Sequence, residues 1–143
     1  MTHENPNAVE LLLATLMERD WRAFKVAYSF EHRTSIPYAI ARAKVERRQK
    51  AIEAYHSGDL ARVVRELALT RRELSEPARI ADETLKLFYG ENLERLDELA
   101  GTESGELLKR QLADMEAECV SLHTILARIA DILPDLETRS KTA

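Results

Sequence analysis

Residues 106–133 read ELLKRQLADMEAECVSLHTILARIADIL. Their apolar positions, Leu108, Leu112, Met115, Cys119, Leu122, Leu126, Ile129 and Leu133, are separated by 4, 3, 4, 3, 4, 3 and 4 residues. That is an unbroken heptad seam, the period of a helix that buries one stripe against another helix. A strand would instead alternate with a period of two. The seam is longer than a short helix uses, so it predicts a long coiled-coil-like helix paired with another long helix. The covering stripe can come from the same chain or from a second copy in a twofold dimer, and the sequence leaves both open. Leu108, Leu112, Met115, Leu122, Leu126 and Ile129 are therefore candidate residues of an oligomer or partner interface. Pro134 is expected to end this helix, with a frayed tail after it. Upstream, GTESGE (101–106) reads as a linker. The expected organisation is a helical bundle over 1–101 and a linker, heptad helix and tail over 102–143, folding as one unit.

The rest of the chain carries the same period. A first helix is predicted from about Pro6 to about Phe30, capped by Asn5, with Leu13, Met17, Trp21, Phe24 and Tyr28 on one face. Trp21, the one tryptophan, is expected to anchor the core. Thr34 or Ser35 caps a second helix that runs to about His56. In SGDLARVVREL (57–67), Gly58 suits the left-handed residue that closes a helix, and Ser57 or Asp59 can cap the next one. Ser75 and Pro77 signal the start of a fourth helix, which stops or bends at Gly90 or continues to Gly101. With only 4 Gly, 4 Pro and 6% aromatics, and no strand-like segment, the chain is predicted to be all-α, a bundle of five to six helices.

Charge is uneven along this pattern. Residues 41–72 hold 9 Lys/Arg against 4 Asp/Glu, whereas residues 73–143 hold 8 against 16. Clustered cations attract phosphates without regard to sequence. The candidate nucleic-acid-binding residues are Arg42, Lys44, Arg47, Arg48 and Lys50 on the second helix, with Arg62 and Arg65 on the third. The equally plain alternative is a solvated face, or one paired with the acidic C-terminal half.

Chemistry beyond binding finds little support. The four histidines, His3, His32, His56 and His123, fall on different segments, and none has a second histidine or carboxylate at i+4. Cys119 lies four residues before His123 but within the apolar seam, where it reads as a small buried hydrophobe. Glu53-x-x-His56 occurs once, and a di-iron site needs two such pairs. There is no Gly-rich phosphate loop. No enzyme, metal or cofactor is expected. The single cysteine excludes an internal disulfide, and the run Val9–Met17 is too short and too interrupted for a signal peptide or a membrane span, so a reducing cytoplasm is expected.

Arg47, Arg48, Lys50, Ser57, Gly58, Asp59, Val63, Val64, Arg65, Leu67, Leu74 and Ser75 together form a pattern: a basic helix with an Arg-Arg pair, a Ser-Gly-Asp turn, an amphipathic helix and a Leu-Ser cap. Over about residues 45–96 this resembles the C-terminal helical domain of CarD-like bacterial transcription regulators. The resemblance implies a DNA-backbone contact by Arg47 and Arg48. That family's β-rich polymerase-binding module has no counterpart here, and Val45 stands near the place of its minor-groove tryptophan. The leading expectation is a non-enzymatic, transcription-associated binding protein contacting DNA phosphates. The alternative is a protein–protein interaction module (a helical chaperone, anti-effector or assembly subunit) that works through the heptad helix, with an acidic or helical partner or a homodimer.

Overall fold

The structure, a computed structural model, describes residues 8–30 and 36–142. Among these residues there are four α-helices and no strand: α1 (Ala8–Phe30), α2 (Ile36–Ser57), α3 (Leu60–Glu98) and α4 (Glu103–Thr142). The all-helical class is as predicted; the count of five to six is not. The predicted third and fourth helices are one, because α3 runs on through Pro77. Ser75 does not cap there; its hydroxyl donates to the Arg71 carbonyl at 2.7 Å, a bond compatible with continuing helix. On the solvent side, Arg79 grips both Glu76 and Glu83, bracketing the proline, and the Arg79 guanidinium holds the Glu76 carboxyl below its ordinary value. Likewise α4 passes Pro134 and continues to Thr142, so residues 135–142 are helical rather than frayed. A proline removes one helical hydrogen bond, and buried neighbours offset that loss: Ala78 follows Pro77, and Leu133 and Leu136 flank Pro134. The caps expected at Asn5 and at Thr34 or Ser35, together with His3, His32 and the Tyr28 side chain, lie outside the described residues.

The chain divides into two compact units. One unit is Met1–Leu69 with Arg128–Ala143. Within it α1 packs on α2. Its apolar interior takes Leu12, Leu13 and Leu16 from α1, Ala51 and Ala54 from α2, Val63 and Leu67 from α3, and Ile129, Leu133 and Leu136 from α4. Trp21 is not among them. It stays 40% exposed, its ring edge-on to Phe24 at 5.3 Å, and Phe24 in turn meets Tyr38 of α2. Alanine and leucine fill the space that the sequence reading gave to the aromatic.

The other unit is Thr70–Ala127, a helical hairpin of α3 and α4. Its turn is tight. Gly101 takes φ +80°, a left-handed conformation that glycine adopts without strain. The Thr102 hydroxyl accepts the Gly105 N–H at 3.1 Å, which makes Thr102 the N-cap of α4. GTESGE is thus a turn of two residues followed by the first four residues of α4, not a linker. Ala78 on α3 and Leu112, Cys119, Leu122 and Ile125 on α4 are buried, and Asp82 of α3 meets His123 of α4 at 2.7 Å.

Two helical glycines in this hairpin should respond oppositely to alanine. A Cβ at Gly90 meets nothing within 4 Å, so Gly90→Ala should raise stability by roughly 0.5–1 kcal/mol through helix propensity alone. A Cβ at Gly105 would overlap the Leu99 carbonyl, which is backbone and cannot swing aside. Gly105→Ala should therefore destabilise, by about 1–3 kcal/mol, despite alanine's better propensity. Denaturant titrations followed by circular dichroism would measure both signs.

Candidate functional site

The site begins at the α2–α3 corner. Gly58 has φ +84°, its N–H donates to the Tyr55 carbonyl at 3.2 Å, and the Asp59 N–H donates to the Ala54 carbonyl at 2.8 Å. Those two bonds satisfy the last carbonyls of α2 in the Schellman pattern. Asp59 then caps α3 by accepting the Arg62 N–H at 3.3 Å. Ser57 is not the cap; its hydroxyl donates back to the Ala54 carbonyl. The corner folds α3 back along α2, so that positions 47 and 48 of α2 meet position 66 of α3.

Arg48 is the centre of that meeting. Its Nε donates to Asp20 Oδ2 of α1 at 2.8 Å, and its Nη1 donates to Glu66 Oε1 of α3. Its side chain is only 4% exposed, and Glu66 only 7%. Arg47 Nε reaches the same Glu66 oxygen at 2.9 Å, from a side chain that is one-third exposed. Among the described residues no buried side-chain nitrogen or oxygen lacks a partner. This corrects the reading of Arg48 as part of an exposed phosphate-binding face: its guanidinium lies inside, tied to carboxylates of α1 and α3. The arginine block is therefore balanced partly by Asp20 and Glu66, residues of the same unit.

Outside this network lies a cleft of about 350 Å³ lined by Arg47, Ala51, Arg62, Arg65, Glu66 and Leu69. Arg62 and Arg65 are exposed and make no ion pair among the described residues. Glu66, the one carboxylate in the lining, is turned to Arg47 and Arg48. Three guanidiniums thus face one concavity with a single acid among them, and two are uncommitted. Such forks donate in pairs to phosphate or carboxylate oxygens. Lys44 and Lys50 stand on either side of Arg47 on α2 and have no ion pair among the described residues. Arg42 is occupied by Glu46 at 3.1 Å, one turn along.

The other predicted residues fall elsewhere. Leu112, Leu122 and Ile129 are 5%, 3% and 0% exposed in the single chain, so they are core positions and the seam is covered in cis. Leu108, Met115 and Leu126 are half-buried. Among the histidines, His56 pairs with Glu10 at 3.3 Å and His123 with Asp82. No group of three or more His, Cys, Asp or Glu able to hold a metal occurs among the described residues. Cys119 is buried as expected, and burial first, then the Asp82 carboxylate, pushes its thiol above the ordinary value. No helix of the described residues is long and apolar enough to cross a membrane. The sequence reading missed Asp20, Glu66 and Leu69. Only a contact across 28 residues, unmarked by any spacing rule, singles out Asp20.

Arg48→Ala should cost about 3–5 kcal/mol, because it leaves Asp20 and Glu66 buried without their counter-charge. Arg62→Ala and Arg65→Ala should stay within about 0.5 kcal/mol of the parent. Urea titrations compare the three, and an Arg48→Ala midpoint equal to the parent's would overturn the account of the network. Cys119 should resist iodoacetamide at pH 8 in the folded protein and react at once in denaturant. Its folded-state rate should still be climbing above the pH at which an ordinary thiol levels off.

A scan against protein-family models, a search of curated proteins and a search of solved structures each find no match to this chain.

Proposed function

We propose that the protein is a non-enzymatic helical regulator, transcription-associated and acting in the cytoplasm, that binds DNA phosphates through the α2–α3 cleft. One observation carries the reading. Arg62 and Arg65 line a concavity beside Arg47 with their own charges unpaired among the described residues. Uncommitted guanidiniums release condensed counterions when they meet phosphates, which favours binding without base recognition. The resemblance to CarD-like helical domains adds to this, with one revision. Arg48 serves the interior, so the backbone contacts move to Arg62, Arg65 and the exposed part of Arg47, with Lys44 and Lys50 beside them.

In this reading α4 is scaffold: its heptad helix pairs within the chain in coiled-coil fashion. The other reading is an interaction module, or a homodimer, that uses the heptad helix and ignores nucleic acid. It would have to work through Leu108, Met115 and Leu126, since the rest of the seam is buried.

A short duplex should be retarded by the protein at low salt, and the affinity should fall steeply as salt rises. Arg62→Glu with Arg65→Glu should abolish the shift. Replacing both by alanine should lower the log–log salt slope by about two. Absence of any shift at low salt, or a double charge reversal that changes nothing, ends this reading.

A further inference from the structure

The cleft beside Arg47 lies within one compact unit, since all its lining residues fall in Met1–Leu69. Three guanidiniums, of Arg47, Arg62 and Arg65, stand there against the one carboxylate of Glu66, a net charge of +2. The groups behind the lining leave that balance unchanged, because Arg48 and Asp20 are of opposite sign and bonded to each other. Asp59 lies outside the lining and accepts the Arg62 N–H at the corner. The walls are not charged throughout. Ala51 contributes only a methyl, and Leu69 is 38% exposed. A row of DNA phosphates calls for a stripe of cations, with no need of an apolar wall. These cations instead share a concavity of about 350 Å³, a volume at the lower end of small-molecule sites.

We propose that the cleft is a site for a small phosphomonoester, the size of a nucleoside monophosphate, held by its phosphate at Arg62 and Arg65 and by its body on Ala51 and Leu69. Charge selects the monoester. Its phosphate carries close to two negative charges at pH 7, roughly −1.5 to −2, whereas each phosphodiester of DNA carries one. The dianion is the better match to a cleft of charge +2. Arg62 and Arg65 stand one turn apart on α3 without an ion pair among the described residues, and each planar fork can donate two hydrogen bonds to phosphate oxygens. Volume and the apolar wall select the body, because an inorganic phosphate would leave Leu69 uncovered and most of the cleft to water. A ligand that occupies Arg62 and Arg65 excludes DNA from the same side chains. That consequence rests on the DNA reading; the ligand itself does not.

Isothermal titration calorimetry with adenosine 5′-monophosphate tests the site without DNA. The full-length protein should bind it. Arg62→Ala with Arg65→Ala should weaken binding at least about tenfold, and both positions are on the surface, so an unchanged urea midpoint checks that the fold is kept. Adenosine 3′,5′-cyclic monophosphate, with the same base and sugar but a monoanionic diester, should bind about tenfold more weakly. Leu69→Ser should weaken the monophosphate by about threefold or more. At constant ionic strength, saturating monophosphate should release a retarded duplex. Absence of monophosphate binding overturns the proposal whatever the duplex does, as does equal affinity for the cyclic diester or an unchanged affinity in the double arginine variant. If only a duplex with 5′-phosphorylated ends binds more tightly, and the free monophosphate does not bind, the cleft belongs to strand ends and the proposal is again overturned. A duplex retained at saturating monophosphate overturns the exclusion of DNA. Monophosphate binding with no duplex shift at low salt supports the cleft and ends the DNA reading alone.

Discussion

A guanidinium in the interior must be matched, and Arg48 is matched from two directions. Asp20 comes from α1 and Glu66 from α3, so a single side chain of α2 fixes the three helices against one another. Burying charge is unfavourable until each donor finds an acceptor, which makes the arrangement intolerant of any register that separates the three residues. A lysine would present one compact charge; the planar fork of arginine reaches two carboxylates at once. The core around it is mostly leucine and alanine, which many registers could pack. The polar contact narrows those to one.

The cleft is a by-product of the same constraint. Glu66 is drawn to Arg48 and shared with Arg47, so the only carboxylate in the lining is turned away from Arg62 and Arg65. Arginines that the sequence lists as one block are thereby sorted by environment. Arg48 is interior, Arg47 sits at the rim between the buried acid and the cleft, and Arg62 and Arg65 face solvent without a counter-charge among the described residues. The function proposed for the surface depends on this sorting rather than on the total charge.

Local rules were readable in the sequence where the chemistry is local. Gly58 and Asp59 close and open helices as their residue types require, and the heptad spacing marks the stripe that α4 buries. Cys119 is buried as its place in the seam suggests. Reading failed where distant residues decide. Ser75 and Pro77 have the residue types of a helix start, yet packing on either side carries α3 through them. Trp21 lies on the apolar face by spacing, but that face leaves the core one turn before it. Arg48 looks like any member of a basic run, and its burial follows from Asp20 and Glu66, neither of which is nearby in sequence. Whether the seam was covered by this chain or another was likewise undecidable until the hairpin partner was known.

The corner at Gly58 carries a consequence for chain length. An added residue turns everything after it by about 100° around the helix axis. One residue inserted within the first turn of α3, between Leu60 and Arg62, would therefore rotate Glu66 away from Arg48 and swing Arg62 and Arg65 off the cleft in the same movement. No compensating slide is open, because Asp20 still holds the arginine in place. Insertions and deletions at this corner thus act on interior and surface together, and the spacing between Arg48 and Glu66 is as much a part of the site as the residues themselves.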